Sequence, residues 1–145
     1  NLVELNLYKM MMKMKMTQTI NIPISLEAGI RKKKNYFLNL NSYNRWHFQE
    51  KNQLKKLFKI NILKDVRELK PIEKCEITFT IYYPTKRLFD LDNIGSILSK
   101  FTHDVLTEAE IIPDDNYQVI RKLTFEFGGI DSENPRAEVT IKEVK

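Results

Sequence analysis

The run Cys75-Glu76-Ile77-Thr78-Phe79-Thr80-Ile81-Tyr82-Tyr83 alternates with period two, is rich in β-branched and aromatic residues, and is closed by Pro84. That pattern fits a pleated strand and no amphipathic helix, and a proline beyond it cannot donate to a ladder. The pattern then changes. Ile94, Ile97, Leu98, Phe101 and Val105 recur at helical spacing, behind Asp92 and Asn93, either of which can cap a helix. Pro113-Asp114-Asp115-Asn116 is a turn by composition, and Tyr117 to Phe127 alternates again. On one face of that run lie Val119, Arg121, Leu123, Phe125 and Phe127, one charge among apolar residues. Strand, helix and strand in this order predict a sheet with the helix laid across it.

The flanks extend the pattern. Thr17 to Ile24 alternates and stops at Pro23, a first strand. Residues 25–44 read as a loop carrying Arg31-Lys32-Lys33-Lys34 and Leu40-Asn41-Ser42-Tyr43-Asn44. From Arg45 to Leu69 the residues Leu54, Phe58, Ile62, Val66 and Leu69 keep helical spacing with Leu57 beside them, and Pro71 ends the helix. Gly128-Gly129 and Asn134-Pro135 punctuate the chain before a last strand over Ala137 to Ile141. The expected order is β, long α, β, short α, β, β: a small single-domain α/β fold, a mixed sheet of about four strands covered by two helices.

A chain of 145 residues suits one such core. Residues 1–15 are set apart from it, because Lys9, Lys13 and Lys15 interrupt the methionine-rich stretch Met10 to Met16. A signal peptide needs an unbroken apolar run, so this segment reads as an upstream extension without stable structure. Met14 or Met16 is then the natural start, and residues 16–145 form the domain. No run reaches the roughly 18 apolar residues of a membrane helix. The single cysteine, Cys75, forms no internal disulfide, and its place in a strand predicts a buried, inert thiol. A reducing, cytoplasmic setting and no membrane partner are the expectation.

Lys and Arg number 24 against 19 Asp and Glu, a net charge of +5 with a pI near 9.2. Such a balance suits a polyanion, since cationic side chains release the counterions of nucleic acid. The candidate contacts are Lys32 and Lys33 in the basic run, Arg45, and Lys86-Arg87. Lys86-Arg87 abuts the most informative stretch of the chain, Arg87-Leu88-Phe89-Asp90-Leu91-Asp92-Asn93. In extended backbone Asp90 and Asp92 project together, and two close carboxylates favour a cation between them. Asp114-Asp115 follows after one helix and a turn, so it can return to the same end of the sheet. Hard Mg²⁺ takes such oxygen ligands, often only one or two from protein, and suits phosphodiester chemistry. Taken separately, Asp92 is well explained as a helix cap and Asp114-Asp115 as an ordinary turn.

The combination is more specific. Arg87, then Asp90-Leu91-Asp92-Asn93, a helix containing Asp104-Val105-Leu106, and Asp114-Asp115-Asn116-Tyr117-Gln118-Val119 resemble the RusA-type Holliday junction resolvases. Those enzymes have a basic lead-in, D-x-D-N, a helix ending in D-x-L, and D-D-x-Q-V opening a strand. Leu40-Asn41-Ser42-Tyr43-Asn44-Arg45-Trp46-His47 is similar to the Asn- and Arg-containing loop after the family's first strand. The resemblance spans residues 17–142 and is concentrated in 87–119. It implies a small homodimeric endodeoxyribonuclease, often phage-encoded and serving DNA recombination and repair. Such an enzyme cuts four-way junctions with Mg²⁺ and no small-molecule cofactor. It implies Asp90, Asp92 and Asp115 as the catalytic metal-binding carboxylates.

One departure stands out. The family has a lysine four residues after the second aspartate of D-x-D-N, where this chain has Ser96. Lys100 matches only if four residues are inserted, and eight residues of continuous helix span about 12 Å. Either the helix begins near Ser96 and Lys100 is catalytic, or Lys100 contacts DNA, or the role is vacant. His103 reads as a helix-surface residue and His47 as part of the loop beside Trp46. No phosphate-binding G-x-x-x-x-G-K-[ST] loop, dinucleotide fingerprint or nucleophilic triad is present. The competing expectation is a non-catalytic DNA-binding module whose acidic residues are caps and turns. A dimer would show an apolar patch, with Phe101 or Phe127 as candidates.

Overall fold

The computed structural model describes residues 1–13, 15–29 and 32–145. The Met14 start and Arg31 of the basic run lie outside the described residues. The elements are α1 (Leu2–Lys13), β1 (Thr17–Ile22), β2 (Ser25–Ala28), β3 (Lys34–Phe37), α2 (Leu40–Tyr43) and α3 (Phe48–Arg67). They continue with β4 (Cys75–Tyr83), α4 (Leu91–Glu108), β5 (Ile120–Ile130) and β6 (Arg136–Glu143).

Among the described residues, four strands form one mixed sheet in the order β1-β6-β4-β5. β6 runs antiparallel to both β1 and β4, whereas β4 and β5 are parallel. Parallel neighbours cannot be joined by a hairpin, and α4 supplies the crossover. Alternation decides which face is covered. Ile20 and Ile22 of β1, Ile77, Phe79 and Ile81 of β4, and Ala137, Val139 and Ile141 of β6 are buried, whereas Thr78, Thr80, Glu138 and Thr140 are only half-buried. The helices α3 and α4 pack on each other and on the sheet. The stripe Leu54, Phe58, Ile62 and Val66 is buried along α3, and burying each such side chain contributes about 2 kcal/mol. The expected small α/β domain with two covering helices is what the chain forms.

Four local expectations are corrected. Residues 25–44 are no simple loop: β2 and β3 pair antiparallel as a hairpin, and α2 follows. The hairpin turn needs Gly29 at φ +133°, because a Cβ there would lie 2.3 Å from the Lys32 carbonyl oxygen. Residues 2–13 form α1 where an unstructured extension was expected, with the Asn1 side chain accepting a hydrogen bond from the Glu4 N–H at 2.9 Å. The α1 side chains from Leu2 to Met10 are exposed. His103 is buried, not on the surface, because α4 packs against both the sheet and α3 and buries polar positions as well as its apolar stripe. Phe101 is likewise enclosed, edge-on to Phe58 at 5.5 Å and Tyr43 at 6.2 Å, and is unavailable to a partner.

The approach of α4 to β5 is close. A Cβ on Gly95 would stand 2.4 Å from Cγ of Phe125, so the helix reaches the strand only with glycine there. On both sides of Phe125, apolar residues of β5 are left open. Leu123, Phe127 and Ile130 of β5 are exposed, and Leu88 in the β4–α4 loop is 95% exposed. A register shift after Phe127 pairs Gly129 with Tyr82 and Ile130 with Tyr83, which keeps Ile130 on the face of Phe127. Among the described residues no helix is long and apolar enough to cross a membrane.

Candidate functional site

The loop after β4 and the turn α2 meet in a cleft of about 480 Å³. Asn39 and Arg45 enter from one side, Arg87, Asp90 and Asn93 from the other. The two sides are tied by a hydrogen bond from the Asn41 N–H to Oδ1 of Asn93, 3.1 Å. Asn39 caps α2, accepting from the Ser42 N–H at 2.8 Å, so the Leu40–Trp46 segment is locally braced before it meets α4. Trp46 then packs edge-on to Tyr36 and Tyr43. The two segments that sequence reasoning singled out, 40–47 and 87–93, are thus neighbours in space.

The carboxylates are arranged differently from the extended-chain expectation. α4 starts at Leu91, so Asp90 occupies the cap position with extended backbone and Asp92 lies in the first helical turn. The alternation that would project both together ends at Leu91. The Asp90 side chain makes no capping hydrogen bond among the described residues, faces the cleft and is exposed. Asp92 is exposed, at the positive end of the helix dipole, and is not part of the cleft lining.

Asp114 is consumed by its turn. One of its oxygens accepts from the Asp115 N–H at 2.7 Å and the other from the Asn116 side-chain amide at 3.0 Å. Asp115 is exposed, and its charge is felt by His103 and Asp104 on α4. Those residues stand 11 and 12 positions beyond Asp92, about 17 Å along the helix axis. Burial pushes the Asp104 carboxyl upward, with Asp115 and Glu108 adding to the shift against Lys55 and Lys100. Among the described residues no three His, Cys, Asp or Glu side chains are grouped to hold a metal ion. Asp90, Asp92 and Asp115 therefore form no closed cage. What the donor set does fit is a hydrated hard cation that shares one or two exposed carboxylates with substrate phosphates.

Lys100 lies on a helix that is continuous from Leu91 to Glu108, which removes the option of a helix starting near Ser96. Its Nζ sits 5.2 Å from the centroid of the Tyr43 ring. Lys86 and Arg87 border a second, mainly apolar groove with Leu88, Phe89, Phe127 and Ile130. Lys32 and Lys33 lie in the hairpin turn, exposed and outside the cleft lining. Cys75 is buried, and desolvation pushes its thiol up to about 11. Sequence reasoning missed the Asn41–Asn93 tie and the role of Asn39. Asn93 in D-x-D-N was the available signal for the tie.

Scans of this sequence against protein-family models and against curated proteins gave no match. The resolvase resemblance accordingly rests on the residues quoted for it.

Proposed function

We propose that the protein is a Mg²⁺-dependent endodeoxyribonuclease of the Holliday-junction-resolving kind, acting on branched DNA as a homodimer. The observation that carries this reading is the cleft itself, where the Asn41–Asn93 hydrogen bond joins the two segments on which the resemblance rests. Arg45 and Arg87 bind phosphate oxygens, and Arg87 places the strand beside Asp90. Asp90 and Asp92, at the head of α4, are the proposed ligands, with the substrate phosphates completing the set; Asp115, whose charge acts on the later turns of α4, is left out of it. Bound Mg²⁺ supplies a polarised phosphate and a more acidic water. Asn93, held by the α2 backbone, keeps the head of α4 and its two carboxylates in register with the arginines. The test is cutting of a synthetic four-way junction in Mg²⁺ beside a linear duplex of the same sequence. Symmetric cuts in the junction and an intact duplex are expected; equal cutting of both, or of neither, removes the proposal.

Two cuts need two sites, and β5 is the edge that a second copy would cover. Its outer side is unpaired among the described residues, Leu123, Phe127 and Ile130 are exposed along it, and Phe127 and Ile130 share a groove with Leu88. Light scattering at micromolar concentration is expected to give twice the chain mass, and Phe127→Lys to return it to one. A wild-type monomer that still makes paired cuts contradicts the dimer.

A further inference from the structure

Away from the cleft carboxylates, lysines converge on one tyrosine. Nζ of Lys51 lies 4.4 Å and Nζ of Lys100 5.2 Å from the centroid of the Tyr43 ring. Lys55 stands one helical turn after Lys51 on α3, and its charge also acts on the Tyr43 hydroxyl. None of the three lysines belongs to an ion pair among the described residues. Asp104 feels the charges of Lys55 and Lys100 but pairs with neither. Like charges held this close repel, and a ring face offsets little of that at an exposed site. An anion between them would offset it.

The ring that gathers them is fixed. Tyr43 packs edge-on to Trp46 at 5.9 Å and to Phe101 at 6.2 Å, and Phe101 is anchored in the core. Burial alone would raise the Tyr43 phenol, yet its pKa is lowered, because the ammonium groups of Lys100, Lys55 and Lys51 put positive charge beside it. The place in the fold is equally informative. Ser42 and Arg45 line the cleft, and Tyr43 lies between them in sequence, on the same α2 turn. A strand that leaves the cleft across α2 meets the lysines next.

We propose that Tyr43, Lys51, Lys55 and Lys100 form a second phosphate-binding site, which holds a nucleic-acid backbone where it leaves the cleft. The site extends the nucleic-acid reading given above but does not depend on cleavage. Lysine binds phosphate as a point charge, so the contact is to the backbone and carries no base preference. Lys100 belongs to this site by position, which accounts for its distance from Asp92.

The experiment is equilibrium binding of a fluorescently labelled linear duplex, without divalent metal, over a series of salt concentrations. Lys51→Gln/Lys55→Gln is expected to bind about 10-fold more weakly near physiological salt and to flatten the log K against log salt slope by about 2. Lys64→Gln/Arg67→Gln, in the last turn of the same helix, is expected to change the slope much less. Tyr43→Phe, which keeps the ring and drops the hydroxyl, should lose a smaller factor. An unchanged slope in the first double variant, or an equal change in the second, overturns the site. A slope change with no junction cutting would keep the site and remove the nuclease reading; cutting with no slope change would do the reverse.

Discussion

Asp92→Asn is expected to cut a four-way junction at least about 1,000-fold more slowly than wild type while binding it as well or more tightly. The substitution keeps size and hydrogen-bonding capacity but removes the charge that a hard cation requires. It also removes a negative charge close to phosphates, which favours binding. Its structural cost is small. Asp92 is exposed in the first turn of α4, where an acid contributes about 0.5 kcal/mol through the helix dipole. Asp90→Asn is expected to behave the same way, since its side chain makes no capping bond that the amide would lose. Asp114→Asn gives the contrast, because that carboxylate is held by its own turn through Asp115 and Asn116. Cutting and binding measured together on folded protein decide the matter. If both fall in parallel in Asp92→Asn, the acid is a helix-end residue and the non-catalytic alternative gains.

The elements with long, unbroken periodicity were legible from sequence. β4 alternates over its whole length, α3 repeats Leu54, Phe58, Ile62 and Val66 at steps of four, and both match the residues found buried. The β2–β3 hairpin was hidden because each strand has only four residues and the charged Lys32 and Lys33 fall between them. His103 was misplaced because a polar residue on an amphipathic helix is read toward solvent, and α4 is covered on two sides. At the site, segments 40–47 and 87–93 were each singled out in the sequence, whereas their meeting and their hydrogen bond depend on where α2 falls against α4. The position of Asp115 was the least legible. A turn after α4 can return toward either end of that helix, and here its charge is felt in the later turns, at His103 and Asp104.

The buried histidine gives the second large expected effect. Burial lowers the His103 pKa from its ordinary 6.5 to about 4, and the charge of Asp115 offsets only part of that. The imidazole lies against Phe79 at 5.8 Å between centroids, and Nε2 has no hydrogen-bond partner among the described residues. In the unfolded chain the ring takes up its proton near pH 6.5; in the folded chain it does so only near 4. Between those values the unfolded state binds more protons, so this group makes stability fall as pH falls through that window. The slope is about 1.4 kcal/mol per pH unit, and the full loss about 3 kcal/mol. Asp104 works in the opposite direction, because its raised carboxyl makes the folded state hold a proton that the unfolded state has released. Comparison with His103→Leu removes that contribution, since Asp104 is present in both proteins. At pH 7 the variant should be about as stable as wild type, because no hydrogen bond to Nε2 is lost. Urea unfolding at pH 7.0, 5.5 and 4.5 is expected to show the wild-type midpoint falling faster than that of the variant, with equal m-values. Parallel curves would mean that the ring charges freely in the folded state, and that the packing of α4 over Phe79 opens to admit water.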